Sequence, residues 1–355
     1  MKTVYILGAG FSVEAGAPIQ RSIISEAFRL RDADKANFDD KRFEEFTNFI
    51  SEQLNVSEDK FTPLDRCLSE SAQFRGIGLG KIMQVRESVF FVIGRTIQLL
   101  LNEPNKSKKY IDTFAKFLAE KSSTRASDQY RNEDPVSVIS TNWDILLDNS
   151  IYQVLQSNHK YNGVVDYCCY ISSIDKNDDT VKPGLEKLGQ GGFNVKLLKL
   201  HGSLNWLQCP RCSRLYTKFF IKQTLDNFFD PTSCRHCDTN FPEEKGKHLL
   251  TANLIMPTYL KDLSNPQYRI IWQNAGIEIS EADQIVFIGY SLPYADFEMR
   301  QLLSRMTRKN AKIHVVDFLN PIEQDGLKQH WLKFFGNREV TFSFDGASKF
   351  LETLV

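Results

Sequence analysis

Six short runs of β-branched and aliphatic residues punctuate the chain, at Val4 to Leu7, Val136 to Ser140, Leu197 to Leu200, Ile285 to Ile288, Ile313 to Val316 and Val340 to Phe344. Several are almost continuously apolar, without the in-out alternation of a half-exposed sheet. Strands of that kind are parallel and covered on both faces. Most are separated by segments with helical periodicity, so the pattern predicts an α/β fold with a doubly wound, largely parallel, Rossmann-like sheet. A different period governs the region after the first helix. Phe43, Phe46, Ile50 and Leu54, then Ile82, Val85, Val89, Ile93, Ile97 and Leu100, fall three and four residues apart, which predicts a helical insertion over 31–130. The polar stretch Ser122 to Pro135 reads as the loop that returns to the sheet.

Composition narrows the class. The chain has 355 residues, 42% of them hydrophobic, enough for one large domain with an insertion or two modest ones. Lys+Arg and Asp+Glu both number 44, so bulk charge gives no case for nucleic-acid or membrane-surface binding, although a local basic patch stays open. The most apolar run, Val89 to Leu101, contains Arg95 and Gln98 and is too short to span a bilayer; it reads as a buried or interface helix. No secretory leader precedes the first strand, and four of the seven cysteines form two C-x-x-C pairs. Both features suit a cytoplasmic protein with metal-bound rather than disulfide-bonded thiols.

Candidate chemistry begins at the first strand. In TVYILGAGFSVEAGAP an apolar strand enters a Gly-Ala-Gly turn that is expected to hand over to a helix. Gly8 and Gly10 would let the backbone approach an anion, with Ser12 and the following N–H groups as donors to a pyrophosphate. A dehydrogenase fingerprint is excluded, because Val13 stands where the third glycine belongs and Asp32 and Asp34 lie in a charged, helix-like stretch rather than at a strand end. A dinucleotide is therefore expected without hydride transfer.

Further strand ends carry polar groups where open α/β sheets hold ligands. Thr141, Asn142 and Asp144 follow the second run, and His201-Gly202 follows the third. Singly, each has an ordinary explanation: Asn142 or Asp144 as a helix cap, His201 as a structural imidazole. Their joint placement after successive strands is what points to an active site. Gly289-Tyr290-Ser291, Asp317 and Asn320 follow later strands and suit the adenosine side, with turn chemistry the competing explanation and the favoured one for Asn320 before Pro321. Between them, Cys209-x-x-Cys212 and Cys234-x-x-Cys237 match a zinc ribbon with four cysteine ligands and no open position. His236 as a substitute ligand fits less well, and a redox C-x-x-C lacks a thioredoxin pattern.

These motifs, in this order, resemble the sirtuin family: Gly8-Ala9-Gly10-Phe11-Ser12 with Gly16-Ala17-Pro18, Asn142 with Asp144, His201-Gly202, both cysteine pairs, and Gly289-Tyr290-Ser291. The resemblance implies NAD binding by 1–30, 131–205 and 250–355, and a zinc ribbon at 206–249; it does not cover the insertion. It also implies that Asn142 holds the nicotinamide ribose, that Asp144 helps hold the carboxamide, and that His201 is a general base. Gly8, Ala9, Gly10, Ser12, Arg21, Thr141, Gly289, Ser291 and Asp317 would contact the rest of NAD.

Departures from the family matter. Ile19-Gln20-Arg21 replaces Asp-Phe-Arg, losing the phenylalanine that covers the ribose, and Thr141 replaces a glutamine. Where sirtuins carry a Phe-Gly-Glu segment for the acyl-lysine peptide, the chain reads Leu254-Ile-Met-Pro257-Thr-Tyr-Leu-Lys-Asp262. Together with the insertion and the segment from Trp272 to Glu298 ending in GYSLPYADFE, this is similar to the sirtuin-like proteins of bacterial anti-phage defence, which hydrolyse NAD. The implied activity is NAD+ hydrolysis to nicotinamide and ADP-ribose, with a protein deacylase and a non-catalytic NAD-sensing scaffold as the alternatives. Control by assembly is expected, through a homo-oligomer or a partner such as an ATPase or a nucleic-acid-guided protein. Val89 to Ile93 and Leu99 to Leu101 are candidates for that interface, or simply an internal helical core.

Overall fold

The computed structural model describes residues 1–53, 79–103, 106–126, 134–177, 181, 184–220, 223–252, 254–255, 261 and 263–354. Eleven strands are present among them: β1 Thr3–Leu7, β2 Val136–Ser140, β3 Gly163–Asp166, β4 Ile171–Ser173, β5 Phe193–Lys199, β6 Trp206–Gln208, β7 Leu215–Thr217, β8 Thr251–Ala252, β9 Gln284–Ile288, β10 Lys312–Val316 and β11 Val340–Ser343. Seven form one sheet in the order β11-β10-β9-β1-β2-β5-β3, and every pairing in it is parallel. The chain thus winds from β1 outward through β2 to β5 and β3, then returns to build β9, β10 and β11 on the opposite flank. This is the doubly wound, Rossmann-like arrangement expected. Its switch point lies between β1 and β9, whose carboxyl ends open side by side.

All six expected strands are in this sheet. The seventh, β3, is only four residues, GVVD, and its two valines are too short a run to stand out. β1 and β2 are buried along their whole length, as their unbroken apolar character requires. The helices Lys109–Ser123 and Pro266–Glu281 pack on the sheet and contribute Ile111, Phe114, Leu118, Ile271 and Ile279 to its core. The first of them falls inside 31–130 in sequence, yet in space it covers β1, β2 and β5.

A second core joins the helices Ile23–Ala33, Asp40–Asn48 and Leu79–Leu101. Val89 to Ile93, Leu100 and Leu101 are buried there against Phe43, Phe46 and Leu225, and Leu99 packs at its margin. The apolar surface set aside in sequence for an oligomer interface is therefore consumed internally. The same core receives Trp143 and Ile145 from the loop after β2, with Trp143 edge-on to Phe90 at 6.5 Å. The insertion therefore braces a site loop. Leu54, residues 127–133 of the return loop, and 256–260 and Asp262 of the segment after the ribbon lie outside the described residues. Among the described residues no helix is long and apolar enough to cross a membrane.

The remaining strands form a small sheet ordered β4-β7-β6-β8, with β6 antiparallel to both β7 and β8. It draws β4 and β8 from outside 206–249, and β4 runs parallel to β7.

Candidate active site

The Gly-Ala-Gly turn departs from expectation. After β1 it forms a single 3-10 turn, Ala9–Ser12, and the first α-helix begins only at Ile23. Gly16 takes φ +100° and Ala17 precedes Pro18, two features that stop a helix before it can propagate. The turn's donors are also engaged: Gly8 N–H bonds the Ile288 carbonyl (3.1 Å) and Gly10 N–H the Gly289 carbonyl (2.9 Å). The glycines serve the close approach of two turns. A Cβ on Gly8 would lie 2.5 Å from the Gly289 oxygen, and one on Gly10 2.7 Å from the Gly289 Cα.

Ser12 is the second departure. Its hydroxyl is buried and donates to Asp144 Oδ2 at 2.8 Å instead of facing an anion. Asn142 Nδ2 donates to the Gly8 carbonyl (2.9 Å) and reaches Ser12 Oγ at 3.4 Å. Thr141 closes the join between β1 and β2, with both its N–H and its hydroxyl on the Leu7 carbonyl. The loops after the two strands are thus locked together through Ser12, Asn142 and Asp144. Asp144 also accepts from Leu146 N–H at 3.1 Å, an Asx turn one residue ahead of Ile145, the N-cap of the helix Leu146–Ser157, so it shapes the entry to that helix as well as lining the cleft.

Beneath this layer Lys199, fully buried, donates to the Asp144 carbonyl and pairs with Asp148 at 3.1 Å, while Tyr167 donates to the other Asp148 oxygen. Burial raises the Asp148 carboxyl pKa against the pull of Lys199. Such a buried pair holds the backbone of the loop after β2 in place but offers nothing to solvent.

His201 follows β5 and is buried. Its Nδ1 lies 3.2 Å from the Thr141 carbonyl. A carbonyl only accepts, so Nδ1 carries the hydrogen and Nε2 the lone pair of the neutral ring. Nε2 stands 3.7 Å from Asp296 Oδ1. Asp296 went unassigned in sequence. Its Oδ2 accepts from Tyr290 (2.7 Å), and its Oδ1 is ion-paired with Lys261 at 2.9 Å. Burial works against the Asp296 charge, but His201, Lys261 and Tyr290 outweigh it and hold the carboxyl below the usual range. Tyr290 is driven the other way, by burial and then by Asp296. The available signal was an acid just after the Gly289-Tyr290-Ser291 turn and immediately before a helix.

Asn142, Asp144, His201 and Asp296 border one cleft of about 1000 Å³ at the carboxyl ends of β1, β2, β5, β9 and β10. Its lining includes Ala9, Gly10, Arg21, Thr141, Asn142, Asp144, His201, Gly289, Ser291, Asp296 and Asp317. Gly8 and Ser12 sit behind the wall, and Asn320 is not part of it. Burial raises the Asp317 pKa, opposed by the Phe318 N–H that Oδ1 accepts at 2.8 Å. Phe318 is 77% exposed at the same mouth.

In the small sheet the four cysteine sulfurs lie within 4.8 Å of one another. Cys209–Cys237 and Cys212–Cys234 are each 3.7 Å apart, close to the edge of about 3.8 Å that a tetrahedron with ~2.3 Å zinc–sulfur arms requires. The thiols fit a structural zinc that ties β6 and β7 to the helix Arg235–Asn240. His236 is not in the cluster.

No family model and no curated protein matches the chain. Solved structures do, over nearly the whole of this chain. A Sir2 complex with a p53 peptide and NAD+ aligns with a TM-score of 0.43 at 14% identity, covering 99% of this chain and 91% of that one. A structure described as the basis of sirtuin substrate affinity aligns with a TM-score of 0.43 at 15% identity, covering 100% and 93%. A mutant Sir2 homologue in complex with ADP ribose gives 0.43 at 14%, covering 100% and 90%.

Proposed function

We propose that this cleft binds NAD+ and hydrolyses its nicotinamide–ribose bond. The observation that carries the reading is the convergence of Asn142, Asp144 and His201, from two strand ends, on the cleft that the glycine turns border. With the Gly8 and Gly10 N–H groups engaged, the pyrophosphate falls to Ala9, Ser291 and the Arg21 guanidinium, and Asp317 takes the adenosine ribose.

In the reaction the bond from C1′ to the pyridinium nitrogen breaks, its electron pair neutralises that nitrogen, and an oxocarbenium-like centre is left at C1′. Asn142 fixes the ribose, and Asp144, held by Ser12 and Leu146, orients the carboxamide. Water bonds to C1′, and its proton passes to Nε2 of His201 and then to solvent. Products are nicotinamide, ADP-ribose and one proton. Gln20 stands where the family's phenylalanine would cover the ribose, and it lines the cleft, which leaves room for water.

In a cell we assign the enzyme to the cytoplasm as an effector of anti-phage defence, held inactive until it assembles with itself or with an ATPase or nucleic-acid-guided partner. The deciding experiment incubates purified protein with NAD+ and no acylated peptide, and separates nicotinamide and ADP-ribose chromatographically. Release that vanishes in Asn142→Ala supports the hydrolase. NAD+ that persists with candidate activators while an acylated peptide is deacylated gives the deacylase instead, and binding without turnover in every assembly gives a sensing module.

A further inference from the structure

His201 is the only proposed catalytic group with a buried carboxylate beside its reactive nitrogen. Asp296 Oδ1 lies 3.7 Å from Nε2, just outside hydrogen-bond reach, and neither atom has a well-aligned hydrogen bond among the described residues. Nε2 is thus a buried acceptor left unmet, facing a carboxylate oxygen whose close partner is the Lys261 ammonium. They become complementary once Nε2 gains a proton.

The carboxylate is held on two further sides. Tyr290 donates to Oδ2, and Lys261, whose side chain is wholly buried, pairs with Oδ1 at 2.9 Å and with Glu298 at 2.8 Å. Other groups around the ring bear little on it. Asp144 is committed to Ser12 and Leu146, Lys199 is tied to Asp148, and Trp272 contributes an uncharged ring 6.4 Å away. Arg300, beyond Tyr290, bonds the Leu292 carbonyl.

We propose that Asp296 is a positioning residue that stabilises protonated His201, and that Lys261 restrains it by sharing the same oxygen. The functional weight of this rests on the reading of His201 as the base; the electrostatic coupling does not. Before the reaction Lys261 holds Asp296 Oδ1 at 3.7 Å from the ring nitrogen. As water gives up its proton, Nε2–H turns the 3.7 Å gap into an attractive contact, and a shift of under an ångström converts it into a charge-assisted hydrogen bond. The proton is not passed on to Asp296; it stays on Nε2 until it leaves to solvent.

The restraint predicts shifts of opposite sign. The test is an imidazole ¹⁵N titration of the ligand-free protein, with the His201 resonance assigned by its loss in His201→Gln. Asp296→Asn should lower the His201 pKa by about one unit or more, the usual effect of losing an opposite charge at this distance. Lys261→Met should raise it, and Tyr290→Phe, which leaves the carboxylate in place but removes a donor, should raise it too. The acid limb of the NAD+ cleavage profile should move in the same sense in each variant. A His201 pKa unmoved in folded Asp296→Asn and Lys261→Met, or moved the same way in both, overturns the proposal. Should His201→Ala still cleave NAD+ while the titration shifts appear, the base assignment fails and the coupling stands.

Discussion

Gly10 donates its N–H to the Gly289 carbonyl at 2.9 Å, and a Cβ on Gly289 would stand 2.2 Å from the Phe11 nitrogen and 2.3 Å from the Gly10 carbonyl carbon. The two glycine turns that border the cleft are thus packed backbone to backbone across the switch point of the sheet. Their glycines are required by each other before any ligand arrives.

Gly289→Ala tests this directly. Gly289 sits at φ +61°, a conformation that costs a residue with a side chain about 1–3 kcal/mol, and the clash with Phe11 adds to it. The variant should melt at lower temperature and lose NAD+ binding by calorimetry, while keeping its metal content because the ribbon lies in a separate small sheet. Wild-type affinity in this variant would show that the turns can separate without consequence.

Ser12→Ala probes the joint between the first two loops. The change leaves Asp144 Oδ2 buried without its donor, a loss of about 1–3 kcal/mol in a carboxylate site. Because Asp144 is proposed to orient the carboxamide, the loss should appear in turnover as well as in urea denaturation, with kcat falling roughly tenfold for each 1.4 kcal/mol taken from the transition state. A rate equal to wild type would place Ser12 among purely structural groups.

For the ribbon, four thiolates around one ion imply closed, structural coordination. Zinc released by mercurial titration should reach one equivalent per chain. Chelation or Cys234→Ser should expose the 209–237 segment to protease while the seven-stranded sheet, which shares none of its strands with the small one, survives. Full protease resistance after zinc removal would contradict a metal-dependent module.

Strand ends were legible because parallel strands buried on both faces leave unbroken apolar runs, and the polar residue after each run marks the carboxyl edge. That is how Asn142, Asp144 and His201 surfaced. Ser12 misled because Gly-x-Gly followed by a serine reads as an anion turn, whereas Gly16 and Pro18 prevent the helix that such a turn needs. Asp296 offered only its place after the Gly289-Tyr290-Ser291 turn and before a helix, and Lys261 carried no local pattern; their meaning lies in the contact of Asp296 with a histidine from another strand end and with Lys261. Lys199 is a case of its own, since a lysine inside an apolar strand is explained only by Asp148 on the helix packed against it.

The last expectation concerns acid stability. The Asp296 carboxyl is held below its ordinary value, despite burial, by His201, Lys261 and Tyr290. A depressed folded-state pKa means that the native protein binds fewer protons here than the unfolded chain, whose aspartates titrate near ~3.9. Its stabilising contribution is therefore complete above that value and is lost as pH falls through the lower, folded one. At pH 7, Asp296→Asn should be less stable than wild type by about 3 kcal/mol, the low end for removing one partner of a buried ion pair, since asparagine still accepts from Tyr290. Urea denaturation of the pair at pH 7 and pH 3 in a His201→Gln background, which removes the imidazole's own titration, should find the gap narrowed at pH 3, because the carboxylate has begun to forfeit its contribution. A gap that stays constant between the two pH values would mean that Asp296 is not charged in the folded protein, and with it the attraction to His201 would go.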